Sequence, residues 1–220
     1  ACAIAGIVIA STTMTGIAQT ITHNIVKLSE GIIVYALFFI MLATLLMSMA
    51  LPISACYITV VVLAAPALIK MGIEPIVAHF FVLWFASLSG MTPPVALTSY
   101  SAASIARADP NRTAMSALRI VAPAFALPYI FVLYPELLWQ GTISIMIIPR
   151  TTLFIVGSCI CLTGYAFTHL YWVPRLVLLC GSVLLFIPKP YLPAIGGGLI
   201  VLTIAWNWLK GRRAKGGRNV

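Results

Sequence analysis

Followed along its apolar and polar positions, the chain is a series of long uncharged stretches separated by single charges or small clusters. The stretches are Ala1–Val26, Gly31–Ile69, Pro75–Ala106, Ile120–Pro149 (interrupted at Glu136), Thr151–Pro174, Leu176–Pro188 and Pro190–Leu209. A helix needs about 20 apolar residues to cross roughly 30 Å of hydrocarbon. Ala1–Ile21, Arg119–Tyr134, Thr151–Leu170 and Tyr191–Leu209 each fit one crossing. Trp172–Ile187 is shorter, and Tyr171 and Trp172 supply interfacial anchors for it. The pattern predicts an all-α polytopic membrane protein.

Two stretches are too long for one straight span. Gly31–Ile69 carries no charge over 39 residues, and as a single helix it would run roughly 58 Å. It must fold back, and the bend falls at Ser48-Met49-Ala50-Leu51-Pro52-Ile53-Ser54, where Pro52 lacks a backbone donor and disfavours helix at Leu51. A turn between two full spans normally emerges into water and is polar. This one is apolar apart from two serines, which favours a re-entrant hairpin whose tip stays at membrane depth. Two ordinary spans with an apolar turn is the alternative, and charge parity does not separate them. Pro75–Ala106 is interrupted at Ser89-Gly90-Met91-Thr92-Pro93-Pro94. Adjacent prolines cannot continue a helix, so two half-helices joined by unwound backbone are expected. Thr98, Ser99, Ser101 and Ser104 make the second half rich in hydroxyls, some of which can bond back to the preceding turn.

Composition excludes a water-soluble domain. Hydrophobic residues are 62% and charged residues 8% of the chain, against about a quarter charged in soluble domains. A soluble enzyme, a disordered tail and a nucleic-acid-binding domain are ruled out on that ground. The net charge of +9 comes from 13 Lys and Arg against 4 Asp and Glu. Five of the basic residues, Lys210, Arg212, Arg213, Lys215 and Arg218, lie in the last eleven positions, which places that tail in the cytoplasm. Four crossings separate it from the cluster Arg107, Arg112 and Arg119, so both fall on one side, while Arg150 and Lys189 face outward. Asp109-Pro110 begins a short helix, with Asp as cap and Pro in the first turn. It reads as an interfacial connector over Asp109–Ala117 or as a plain loop. The chain starts inside an apolar run without an initiator Met or basic leader, and reads as the C-terminal piece of something longer. The five cysteines lie in apolar surroundings and read as small buried hydrophobes.

The chemistry on offer comes from the main chain. A broken helix presents carbonyls at one half-helix end and N–H groups at the next. Carbonyls with hydroxyl oxygens suit a small hard cation such as Na⁺, and the N–H end suits a carboxylate. Residues 75–106 contain no acid, which argues against a proton relay. Of His, Asp, Glu, Lys and Arg, residues 75–106 contain only His79, which reads as an interfacial histidine with a satisfied hydrogen bond.

Leu51-Pro52 at a hairpin tip, Gly72-Ile73-Glu74-Pro75, Gly90-Met91-Thr92-Pro93-Pro94-Val95-Ala96-Leu97 and Tyr100-Ser101-Ala102-Ala103, with Ala108-Asp109-Pro110 downstream, resemble TRAP transporters. The likeness is to the large membrane subunit of fused permeases that work with TAXI-type periplasmic binding proteins, and it covers Ala1 to about Leu138. It implies a sodium-dependent uptake permease of the elevator type, built from two inverted repeats, of which this chain holds the second. The outward-opening hairpin would be residues 31–69. By motif, Ser48, Met49, Ala50, Pro52 and Ser54 at the tip, and Ser89, Gly90, Met91, Thr92, Pro93, Pro94 and Thr98 at the break, contribute to cation and substrate binding. Na⁺ would be held through the backbone of Gly90 and Thr92. The tip has Ser48 and Ala50 where the family usually carries glycines, which restricts its backbone.

The expected organisation is a transporter-core repeat over 1–138, extra transmembrane helices over 139–209 and a basic tail over 210–220. Expected partners are the rest of the permease (first repeat and small-subunit-like helices), a TAXI-type binding protein, the lipid bilayer and a small organic-anion substrate, with no nucleic acid. Location is the bacterial inner membrane, and no cofactor is expected beyond Na⁺ as coupling ion. A channel-like or non-transporting scaffold subunit is the alternative. An intramembrane enzyme finds no support, because proton transfer needs a positioned titratable group and no catalytic set is present.

Overall fold

The computed structural model describes residues 7, 10, 11, 14–49, 51–93, 96–139, 146–187 and 191–216, with side chains for these except 17–19 and 211–216. Among the described residues there is no strand, only one isolated β-bridge between Tyr165 and His169. The protein is an all-α polytopic membrane protein. It divides into two compact units, the first comprising Ala1–Leu118 and Phe125–Thr142, the second Arg119–Ala124 and Ile143–Val220.

The first unit starts with α1 (Ile17–Leu28), α2 (Ile33–Ser48), α3 (Ile53–Lys70) and α4 (Pro75–Leu88). The expected crossing Ala1–Ile21 is instead interrupted at Thr15-Gly16, because Gly16 takes a φ of 71° and α1 begins only after it. The 39-residue stretch folds back as α2 and α3, joined by Met49–Pro52. Helix α2 is apolar all round, and it buries one stripe, Ala36, Leu37, Ile40, Thr44 and Ser48. The spacing is that of one helical face. The hydroxyls on this stripe cost little to bury, because Thr44 donates to the Ile40 carbonyl at 2.7 Å and Ser48 to the Leu45 carbonyl at 2.8 Å.

Helix α3 ends where Gly72 enters the left-handed region at φ 91°. The Ile73 amide then reaches back to the Leu68 carbonyl at 3.0 Å, and both side chains are buried. This is a glycine-terminated C-cap with its hydrophobic contact, and Pro75 opens α4 directly afterwards. Helices α3 and α4 pack together, and α2 packs on both. Their core includes Cys56, Val60, Ala64, Leu68, Phe81 and Phe85. An edge-to-face aromatic cluster extends it, with Phe81–Phe85 centroids at 5.0 Å and Phe81–Tyr129 at 5.4 Å. Such pairs contribute about 1 kcal/mol each beyond burial.

Beyond the interruption come α5 (Leu97–Ala106), α6 (Pro110–Val121) and α7 (Leu127–Leu133). Asp109 caps α6 as its sequence implies, its carboxylate accepting from the Arg112 amide at 2.8 Å. The segment is helical through Val121, not a loop and not confined to 109–117. The expected span 119–134 falls on two helices joined by a 3-10 turn, Ala122–Phe125. Pro123 within that turn lacks the N–H an α-helix would need. The helical run Pro110–Leu133 is nonetheless long and apolar enough to cross a membrane, as are Ile53–Lys70 and Leu192–Lys210.

The second unit is built on α8 (Ile147–Thr163), α9 (Trp172–Leu184) and α10 (Leu192–Gly216). Helix α8 stops at Gly164, φ 68°, short of the expected end at Leu170. Two distant side chains hold the loop that follows. Arg175 donates to the Leu170 carbonyl at 3.2 Å and the Gly164 carbonyl at 3.5 Å. Asn207 on α10, 1% exposed, accepts from the Phe167 and Thr168 amides at 3.0 Å each and donates to the Thr168 hydroxyl at 2.8 Å. Asn207→Leu leaves two amides without their acceptor and is expected to cost about 3 kcal/mol, read as a lowered thermal midpoint of the full chain. Helix α10 also runs on to Gly216, so most of the basic tail expected over 210–220 is helical. Cys56 is buried and Cys159 and Cys161 are half-buried, but Cys180 is exposed, against the expectation of burial, and Cys2 lies outside the described residues.

Candidate functional site

The interruption in residues 75–106 is present, and its geometry follows from its residues. After Leu88 the helix tightens into a 3-10 turn, Ser89–Met91, and Thr92 is extended at φ −98°, ψ 125°. Extended backbone is what a residue before proline adopts, and Pro93 follows. Ala96 re-enters in the left-handed region, φ 32°, ψ 41°, and α5 starts at Leu97. A buried non-glycine residue with positive φ marks a strained junction. The Thr-Pro-Pro motif alone does not single out Ala96. Ala50 and Pro94, both expected contributors, lie outside the described residues.

Hydroxyls stitch the two half-helices. Thr98 donates to the Gly90 carbonyl at 2.5 Å across the break, and Thr92 donates to the Leu88 carbonyl at 2.9 Å. Ser89 donates to the Ala86 carbonyl at 2.8 Å. The carbonyls expected to stand free each have a partner already, Gly90's in the Thr98 hydroxyl and Thr92's in the Ala96 amide at 3.2 Å. The arrangement still suits a cation. A carbonyl keeps a second lone pair, and a hydroxyl whose proton is engaged keeps its oxygen lone pairs. Thr98 and Thr92 therefore have their protons committed and their oxygens left to face a positive ion. Ser101 and Ser104 donate to the Leu97 and Ser101 carbonyls inside α5, farther along the chain from the interruption.

The hairpin tip lies at the same end of the bundle. Helices α2, α3 and α4 alternate in direction through short turns, so the end of α2 and the end of α4 point the same way. Helix α2 also packs against the 3-10 turn Ser89–Met91. At the tip, Ser48 is buried while Met49, Pro52 and Ser54 are exposed. Pro52 caps α3, its carbonyl accepting from the Cys56 amide at 2.9 Å. At the break, Ser89 is buried, Gly90, Thr92 and Pro93 are half-buried, and Met91 and Thr98 are exposed. An apolar cavity of about 390 Å³ adjoins the break, lined by Phe80, Leu83, Trp84, Ser87, Leu88 and Met91.

His79 takes no part. Its Nδ1 lies 2.9 Å from the Tyr57 hydroxyl, one turn into α4 and far along the helix from Gly90. With the hydroxyl as its partner, His79→Gln is expected to leave sodium-driven uptake unchanged and to lower the melting midpoint only slightly, the loss of one hydrogen bond of about 1 kcal/mol. Among the described residues no group of three His, Cys, Asp or Glu could hold a metal.

Polar groups gathered at a helix interruption within an all-helical membrane protein are a feature of secondary transporters. The chain belongs to the large membrane components of TRAP transporters: residues 1–146 match the family described as Tripartite ATP-independent periplasmic transporter, DctM component. No curated protein and no solved structure is a significant match. Members of this family are transporters and not enzymes, and they work with a substrate-binding protein and a small membrane subunit.

Proposed function

We infer that the chain is part of a sodium-coupled, binding-protein-dependent importer of small organic anions, most simply carboxylates. The observation that carries this reading is the interruption at residues 89–96, where the Thr92 and Thr98 hydroxyls fix main-chain carbonyls beside the hairpin end. Oxygens without formal charge bind Na⁺ in a site that returns to neutrality when empty, which suits a carrier that must reorient in both states. The start of α5 supplies helix N-terminal amides, whose partial positive charge favours a carboxylate. In this reading residues 1–138 form the second of two inverted repeats, with 31–69 as its re-entrant hairpin. The helices over 139–209 are additions, the binding protein is of the TAXI type, and the C-terminus lies in the cytoplasm of a bacterial inner membrane. Charge distribution supports that orientation. In the second unit Arg175 and Lys210 share one end with the basic tail, whereas Arg150 lies at the other, beside Leu185 and Pro193.

The test is uptake of labelled carboxylates by the complete permease in proteoliposomes with its binding protein present. An inward Na⁺ gradient should drive saturable uptake that disappears when choline replaces Na⁺ or the binding protein is withheld. Conductance without saturation and without a binding protein would instead assign a channel.

A further inference from the structure

The charge of the chain is divided unequally between the two units. All four acids, Glu30, Glu74, Asp109 and Glu136, and the basic residues Lys27, Lys70, Arg107 and Arg112 belong to the first unit, which is therefore neutral. The whole +9 resides in the second unit, which contains no carboxylate side chain. Its cations concentrate at the C-terminal end of α10.

At that end an apolar groove runs between α9 and α10. Val173, Pro174 and Val177 form one wall and Leu202, Thr203 and Trp206 the other, around a cavity of about 240 Å³. Its one hydroxyl is already used, Thr203 donating to the Leu199 carbonyl at 2.7 Å. A peptide lying in this groove would leave its backbone N–H and C=O groups unpaired, whereas an acyl chain has none to satisfy. One turn beyond the groove, the Lys210 ammonium lies 5.4 Å from the Trp206 ring centre and 5.1 Å from that of Tyr171. Arg175 at the same end is occupied by the Leu170 and Gly164 carbonyls. Among the described residues Lys210 meets ring faces and no carboxylate, so its charge is available to an anion. The surrounding Tyr171, Trp172 and Val173 are all more than 70% exposed, as expected for side chains at the headgroup boundary.

We propose that this end of the second unit binds one anionic glycerophospholipid, with an acyl chain in the groove between α9 and α10 and its phosphate against Lys210. The basic run 212–218 adds attractive potential. The site is separate from the helix interruption and does not depend on the transport reading.

The experiment places the full chain in nanodiscs of phosphatidylcholine with a minor fraction of brominated lipid and follows Trp206 fluorescence, isolated by difference against Trp206→Phe. Brominated phosphatidylglycerol should quench Trp206 at least about fivefold more effectively than brominated phosphatidylcholine at the same mole fraction, the preference one basic residue confers. Lys210→Gln should remove about fivefold of that preference, and Val177→Phe, which fills the groove, should reduce quenching by either lipid. The paired Arg212→Gln/Arg213→Gln variant removes two charges from the same basic end and should weaken the preference in the same direction. Equal quenching by the two lipids in the unaltered protein would overturn the proposal. So would an unchanged preference in both Lys210→Gln and the paired variant. Displacement of the brominated lipid by inorganic phosphate alone would assign the cations to a free anion and sink the acyl-chain half.

Discussion

Thr98→Val should lower sodium-driven uptake by about tenfold or more while leaving the protein folded. Valine keeps the shape of threonine and removes the hydroxyl that donates to the Gly90 carbonyl across the interruption. Losing a hydrogen bond and leaving its acceptor unpaired costs about 1–3 kcal/mol, and each 1.4 kcal/mol is close to tenfold in rate or affinity. The loss falls on the side-chain tether between the two half-helices, which are otherwise joined across the interruption by the Ala96 amide donating to the Thr92 carbonyl at 3.2 Å. Thr98→Ser restores the donor and should recover most of the uptake. Ser101→Ala, which removes a bond internal to α5, should change little. Initial rates measured against Na⁺ concentration separate the outcomes. A raised half-saturation for Na⁺ places the hydroxyl at the cation, and unchanged kinetics in Thr98→Val would remove it from the site.

The largest expected effect on stability is at Gly196. A Cβ there would lie 2.6 Å from the Gly181 carbonyl oxygen and 3.0 Å from Leu184 Cβ. Helices α9 and α10 therefore approach backbone to backbone, as small residues permit in membrane helices. Gly196→Leu cannot be absorbed by a side-chain rotation and should cost about 3 kcal/mol or more. At Gly198, two residues along, a Cβ would meet nothing within 4 Å. Gly198→Leu should be neutral or slightly stabilising, because leucine is the better helix former by up to about 1 kcal/mol. Thermal midpoints of the two variants in one detergent decide it, and equal midpoints would show that the helices do not meet at Gly196.

The parts of this fold that sequence makes legible are those set by local backbone chemistry. Pro52 predicts the turn after Ser48, and the proline pair beginning at Pro93 predicts the interruption. Each acts through its own φ angle or missing N–H, so neighbours suffice to read it. Other features need a partner far away in sequence. Helix α8 ends at Gly164, where the loop that follows is held by Asn207 on a different helix, and hydropathy runs straight through the glycine. Gly16 and Pro123 interrupt expected spans through their own local chemistry, but inside segments whose apolar character continues on both sides. At the site, the position of the hydroxyls is legible and their use is not. Thr98 reaches back eight residues to Gly90 over non-helical backbone, whereas Ser101 reaches back four along its own helix. Both are hydroxyls in one short segment, and only the path of the chain distinguishes them.

The claim on which the functional reading rests is that the hairpin end and the helix interruption form one cation site. Thiol labelling measures it directly, with Met49→Cys at the tip and Met91→Cys at the interruption, both exposed positions, each read against the background of the parent cysteines. Na⁺ should slow modification at both positions with the same half-saturating concentration, and K⁺ should slow neither. Labelling that ignores Na⁺ at both positions, or responds at the two with unrelated concentrations, would contradict the account.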